Sequence, residues 1–279
     1  MIRLTQNNLE NYFRIADIET SWYEEPTNTF DFVSRDSNEL LVTIGDSYTY
    51  GAQLHPNVRK KQVYGNKLSL KLNSDWLNLG LSGVSNFWIT DRAEEFAELV
   101  EKLHYKKITV LLCFTGIGRQ FNTTFDGYIN YSKWFEENYK SKTDFPKLFE
   151  MLNNECVNRI LFAYKNKSNV NLLFSTNFVE QLGFEQLTDD QVIRKPWYRL
   201  LIDTDVVTYH SSYYSRLDEA IRWVPKDLQS DFKLWIIDLI DTSEQRIKLL
   251  DSCKHFKYAH PLDYGHSVWA DYVYEKIKC

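Results

Sequence analysis

The apolar residues of the chain follow two alternating patterns. Short runs of consecutive apolar, often β-branched residues predict buried strands, and stretches with apolar residues every three or four positions predict amphipathic helices. The predicted strands cover residues 40–44, 76–79, 108–114 and 170–175, with 206–209 as a fifth. The predicted helices cover residues 62–72, 86–104, 145–165, 213–224 and 230–252, and a last helix begins near Asp263.

This alternation of buried strand and amphipathic helix is typical of a parallel sheet with helices on both faces. The sequence therefore predicts an α/β protein with a flavodoxin-like, three-layer fold and a parallel sheet of about five strands. We expect one domain over residues 1–279, with an N-terminal arm (residues 1–39) packed on it and loops inserted between its elements.

Length, charge and cysteines narrow the class of protein. The 279 residues suffice for one domain with a sizeable core, and the net charge of −5 gives no footprint for nucleic acid or an anionic membrane. No apolar run has the length of a membrane span, and the N-terminus lacks the pattern of a signal peptide. The four scattered cysteines favour buried thiols over a metal site. We expect a cytoplasmic protein without cofactor or metal, a virion-associated one being the alternative.

The most informative stretch is LLVTIGDSYTYG, residues 40–51. Its apolar strand stops at Gly45, which permits a tight turn, and small polar residues follow. Asp46, Ser47 and Thr49 thus come at the carboxyl end of a strand, where open α/β sheets bind ligands. We expect Ser47 to be exposed there. The alternative is an ordinary turn in which Asp46 or Ser47 caps a helix.

GDSYTYG resembles the first sequence block of the SGNH (GDSL) hydrolases, GDSxTxG, and the resemblance implies that Ser47 is a nucleophile. Residues 78–83, NLGLSG, resemble the family's second block and imply that the N–H groups of Ser47 and Gly83 bind an oxyanion. His260, Pro261 and Gly265 resemble the last block, which implies that His260 is the general base. As alternatives, the glycines only build a turn, and a loop histidine ahead of a helix is a common capping feature.

Two positions depart from the family's pattern. Gly118 stands where the third block has an asparagine that donates to the oxyanion. Arg119 or Asn122 offers a replacement donor, although Arg119 could equally bind a charged substrate group or form a salt bridge. Lys257 stands where the family has the aspartate that orients the base. The simplest interpretation is a Ser47–His260 dyad; a backbone carbonyl or another acid, such as Asp251 or Asp263, could also orient the imidazole.

Together these residues predict a serine esterase or deacylase that cleaves an O-acyl ester by a Ser-His dyad or a degenerate triad. The expected partner is a small-molecule or carbohydrate ester, and the sequence does not indicate an oligomeric state. The aromatic residues of segment 121–139 would suit sugar rings or an acyl chain, or simply pack a loop onto the domain. Two other functions stay open: an O-acyltransferase, and a catalytically degenerate binding or structural module, for example in a phage virion.

Overall fold

A five-stranded sheet in the order β1-β3-β2-β4-β5 forms the centre of the computed structural model. The structure describes residues 2–13, 30–52, 54–115, 144–177, 183–197, 200, 226, 229–230, 256–257 and 260–278. The strands are β1 (Asp31–Val33), β2 (Glu39–Gly45), β3 (Asp75–Asn78), β4 (Lys107–Phe114) and β5 (Val170–Thr176). A separate ladder joins β6 (Phe256–Lys257) and β7 (His260–Pro261).

Six α-helices and one short 3-10 helix (Gln6–Asn11) surround these strands in the described part of the chain. The α-helices are α1 (Ser47–Tyr50), α2 (Pro56–Gln62), α3 (Tyr64–Leu72), α4 (Asn86–Val100), α5 (Asp144–Tyr164) and α6 (Asp263–Lys278). None of the helices described has the length and hydropathy of a membrane span.

Strands β2 to β5 run parallel to one another, and their spatial order is that of a flavodoxin-like sheet. The predicted α/β class and the five-stranded sheet are therefore confirmed. One edge differs from the expectation, because β1 pairs antiparallel with β3 and comes from the predicted N-terminal arm. Three residues are too few to show a strand's period in the sequence. The predicted strand over 206–209 lies outside the described residues.

The sheet is covered on both faces, as the apolar runs require. Successive side chains of a strand point to opposite faces. Leu40, Val42 and Ile44 of β2 enter one core, which α4 and α5 cover, whereas Leu41 enters the other, covered by α3 and α6. The carboxyl ends of β2, β4 and β5 thus meet at one edge of a sheet that is buried on both sides.

The helix boundaries follow recognisable signals. Ser85 caps α4 by accepting a hydrogen bond from the backbone N–H of Trp88, and Pro56 begins α2. The predicted helix over 62–72 is α3, which begins at Tyr64 because Val63 before it has an extended backbone, and α2 is a further helix that was not predicted. The predicted helices over 213–224 and 230–252 fall in the part of the chain that the structure does not describe. Cys113 and Cys156 are buried free thiols, as predicted.

Candidate active site

Helix α1 follows directly from the carboxyl end of β2 and begins at Ser47. Asp46 caps it by accepting a hydrogen bond from the Tyr48 N–H at 3.0 Å, and Gly51 ends it in the left-handed conformation at φ 83°. The predicted exposure of Ser47 is wrong, since the residue is 1% exposed. Helix α1 begins just after the carboxyl end of β2, the middle strand of the sheet, and Cα atoms of β7 lie within 8 Å of it.

The carboxylate of Asp46 is fully buried and bound by side chains from two neighbouring strands. Its Oδ2 accepts a hydrogen bond from the Thr115 hydroxyl at 2.7 Å, just after β4. Its Oδ1 accepts one from the Asn177 amide, just after β5. Neither donor was predicted from the sequence. A usable signal exists, however, because each is a polar residue placed directly after a buried strand, as Asp46 itself is.

The turn over residues 78–83 is attached to α1 through the Asn78 side chain. Asn78 Oδ1 accepts from the Gly80 N–H at 3.0 Å, and its Nδ2 donates to the Thr49 carbonyl at 3.1 Å. Gly83 has a positive φ of 85°, and a Cβ there would meet no atom within 4 Å. Its conformation, rather than a lack of space, therefore favours glycine at this position.

A buried ion pair secures the other end of α1. Arg59 donates to the Tyr50 carbonyl at 2.8 Å and lies 4.2 Å from the centre of the Tyr50 ring. The same guanidinium is 2.8 Å from Asp31 Oδ2. Burial raises the pKa of Asp31 in spite of Arg59. Helix α1 is therefore held at both ends by buried polar contacts.

His260 lies in strand β7, whose backbone reaches α1. Cα atoms of β7 and α1 come within 8 Å of each other. The β6–β7 ladder places His260 opposite Lys257 and Pro261 opposite Phe256. The structure thus brings the backbone of the predicted base to the helix that begins at the predicted nucleophile.

Of the remaining predicted site residues, some lie outside the described part of the chain and one takes part in a salt bridge. Arg119, Gly118 and Asp251 lie outside the described residues, so the predicted third oxyanion donor stays a prediction. Asp263 is the first residue of α6, and its carboxylate forms a half-exposed salt bridge with Lys67 at 2.7 Å.

Two other histidines in the described part of the chain have contacts that indicate structural roles. His55 caps α2, where its Nδ1 accepts from the Asn57 N–H at 3.3 Å. His104 precedes β4 at the opposite edge of the sheet, with its ring 4.1 Å from that of Tyr105. His210 and His255 lie outside the part of the chain that is described.

A buried aromatic cluster lies behind α1 and contains an unforeseen histidine. Trp197 packs edge-on against Tyr48 at 5.0 Å and is stacked on Trp269 at 5.3 Å. His266 is 5.1 Å from Trp197 and stacked on Tyr64 at 6.2 Å. This cluster joins α6 to the residue that follows Ser47, so it connects the end of the chain to the candidate site.

His266 is held neutral within this cluster. Its Nδ1 accepts a hydrogen bond from the Tyr64 N–H at 3.2 Å, so the neutral ring carries its proton on Nε2. Burial lowers the pKa of His266 to about 3, and the positive charge of Lys67 acts in the same direction. The charged imidazolium is therefore strongly disfavoured in the folded protein.

This lowered pKa predicts a specific loss of stability in acid. An unfolded histidine titrates near 6.5, so the unfolded state binds the extra proton as the pH falls below that value. Between pH 7 and pH 5, His266 should cost about 2 kcal/mol of unfolding free energy. His266→Asn keeps an acceptor for the Tyr64 N–H and removes the titration. Urea unfolding at both pH values should show a shallower pH dependence for this variant; an unchanged dependence would contradict the prediction.

Comparisons with known proteins give distant structural similarity only. No protein-family model and no curated protein matches the chain. The chain is similar to a lipolytic protein of the G-D-S-L family from Desulfitobacterium hafniense, with 9% identity, a TM-score of 0.39, and 85% of this chain and 98% of that chain covered. A second G-D-S-L family member, from Veillonella parvula, has 12% identity, a TM-score of 0.38 and coverages of 85% and 97%. An acetylxylan esterase from Geobacillus stearothermophilus, solved as a catalytic mutant, has 14% identity, a TM-score of 0.37 and coverages of 86% and 94%.

Proposed function

We propose that the protein is a serine esterase of the SGNH type that cleaves an O-acyl ester of a small molecule or carbohydrate. Ser47 is the nucleophile and His260 the general base. The observation that carries the proposal is the approach of β7 to α1, which brings the His260 backbone near Ser47 from the far end of the chain. The two residues also lie in the sequence contexts that resemble the first and last blocks of the family.

The proposed reaction has two steps. The Ser47 hydroxyl attacks the ester carbonyl while His260 takes its proton, and His260 then gives that proton to the departing alcohol. Water next attacks the acyl-serine while His260 takes a proton from that water, and His260 then passes this proton to Ser47 Oγ as the acyl–oxygen bond breaks, which releases the carboxylic acid and regenerates Ser47. No metal or organic cofactor takes part in either step.

The developing negative charge needs donors that are already in place. We assign two of them to the backbone N–H groups of Ser47 and Gly83, and the third to Arg119. The turn that carries Gly83 supports this assignment, since Asn78 binds it to α1. A guanidinium at Arg119 would supply a permanent positive charge and several donors where the family's asparagine is replaced by Gly118.

Lys257 affects the proposed base differently from the family's aspartate. It pairs with His260 across the β6–β7 ladder. A lysine cannot accept the N–H of an imidazole, and its charge disfavours the protonated ring. We therefore propose a dyad in which another acceptor, not residue 257, orients His260.

Covalent labelling of the wild-type protein tests the proposal. A fluorophosphonate reacts with a serine whose proton a neighbouring base accepts, so it should form one adduct. Mass spectrometry of the digested protein should locate that adduct on Ser47. Protein denatured before the probe is added serves as the control and should not react. The proposal fails if the folded protein stays unlabelled or if the adduct lies on another residue.

The same experiment decides on a second candidate function, a non-catalytic binding module. The observation that favours it is the burial of Ser47, which is 1% exposed. A substrate can reach such a side chain only after a movement of the residues above it. A protein of this second type would bind a sugar or a partner and leave the probe unreacted.

A further inference from the structure

The Asp46 carboxylate is held more extensively than a helix cap requires. A cap needs one acceptor for one N–H group, which Oδ1 already provides to Tyr48. The hydroxyl of Thr115 and the amide of Asn177 add two further donors, and both residues are buried. Three elements, α1, β4 and β5, thus converge on the residue that precedes Ser47.

The Asn177 side chain also has a feature that folding stability does not explain. Its Nδ2 is committed to Asp46, but its Oδ1 is buried with no hydrogen-bond partner within the described structure. A buried acceptor without a donor lowers stability. An unsatisfied oxygen on a side chain that binds the residue preceding Ser47 points to a role in the site.

We propose that Asn177 and Thr115 are positioning residues for Ser47 that act through the Asp46 carboxylate. They fix the direction of that carboxylate from two strands of the sheet. Asp46 in turn fixes the first turn of α1 and with it the Ser47 side chain and N–H. This inference rests on the proposed esterase function. It adds two residues to that site that the family's sequence blocks do not contain.

The proposal predicts a loss of turnover without a matching loss of substrate binding. A nucleophile displaced by a fraction of an ångström reacts more slowly, whereas the ground-state contacts of the ester are kept. Asn177→Leu and Thr115→Val remove the donors at nearly constant volume. Each should lower kcat and the rate of phosphonylation at Ser47 by about 10- to 100-fold, with KM changed less than about 3-fold.

Two control variants separate positioning from general stability. Thr115→Ser keeps the hydroxyl and should retain kcat within about 3-fold of wild type. Asn66 is likewise buried and binds the backbone carbonyl of Lys60, but it contacts Arg35 near the amino end of β3, away from Ser47. Asn66→Leu should therefore lower the unfolding temperature and leave kcat within about 3-fold of wild type.

A double-mutant cycle tests the shared action through Asp46. If both residues act on the same carboxylate, the Asn177→Leu/Thr115→Val protein should lose less than the product of the two single losses. If the loss of kcat in the double variant equals the product of the two single losses, the two residues do not act through the same carboxylate. Wild-type kcat in both single variants, or losses confined to KM, would overturn the positioning role itself. If wild type fails to label, every variant stays silent and the esterase proposal fails together with this one. Should Asn177→Leu fail to fold, the Thr115→Val and Thr115→Ser pair decides.

Discussion

Replacing Ser47 with alanine should lower the turnover of a short-chain aryl ester by about four orders of magnitude or more. The variant keeps the helix and its Asp46 cap but lacks the oxygen that attacks the carbonyl. His260→Ala should have an effect of similar size, because a serine without a base is a poor nucleophile. Combining the two substitutions should add little, since residues that act as one unit are not additive.

Steady-state hydrolysis, followed spectroscopically, gives the measurement, and circular dichroism confirms that each variant is folded. His55→Ala is the matched control, because that histidine caps α2 and has no part in the proposed chemistry. It should lose about 1 kcal/mol of stability at most and keep its turnover. Equal turnover of wild type, Ser47→Ala and His260→Ala would leave the binding module as the better account of the protein.

The second large effect concerns Gly45, the last residue of β2. A Cβ at this position would lie 2.2 Å from Thr49 Oγ1 and 2.8 Å from Cys113 Cβ, with the Cys113 carbonyl oxygen 2.9 Å away. The hydroxyl could rotate away, but the Cys113 backbone belongs to the neighbouring strand and cannot move alone. Gly45→Ala should therefore reduce the free energy of unfolding by about 3 to 5 kcal/mol.

Gly83→Ala provides the comparison for that measurement. Its positive φ of 85° imposes a conformational cost, but no atom lies within 4 Å of the added methyl group. A loss of about 1 kcal/mol is expected. Urea unfolding of both variants at one pH should thus show the larger loss for Gly45→Ala. Losses of equal size would mean that the end of β2 can accommodate a side chain at residue 45, and that steric crowding is not the reason for glycine there.

The sequence predicted the parts of the fold that local pattern determines. Four apolar runs became β2 to β5, because a strand buried on both faces must be apolar at consecutive positions. Strand β1 was missed because residues Asp31–Val33 form a strand only through their hydrogen bonds to β3, which the local sequence does not show. The burial of His266 was missed for a related reason: a buried and an exposed histidine in the first turns of a helix look alike in the sequence. Only the packing of α6 on α3 determines which of the two it is.

The sequence motifs predicted the proposed nucleophile and base, but not the side chains that bind the residue next to the nucleophile. Ser47 and His260 could be named because each stands in a short, ordered sequence context. Asn177 and Thr115 could not, because their contact with Asp46 depends on how far β4 and β5 extend beyond β2, which is a matter of register. The burial of Ser47 was equally invisible, since it depends on elements far along the chain that return to α1.

The contact between α3 and α6 has a consequence for synthesis of the protein. The hydrogen bond from Tyr64 to His266 joins residues 202 positions apart. At a translation rate of about 5 to 20 residues per second, α6 is made roughly 10 to 40 s after α3. Throughout that interval the apolar face that includes Leu41 and Trp76 lacks its C-terminal cover. The growing chain thus contains Ser47 long before it contains His260, and the apolar surface exposed during that interval is prone to aggregation.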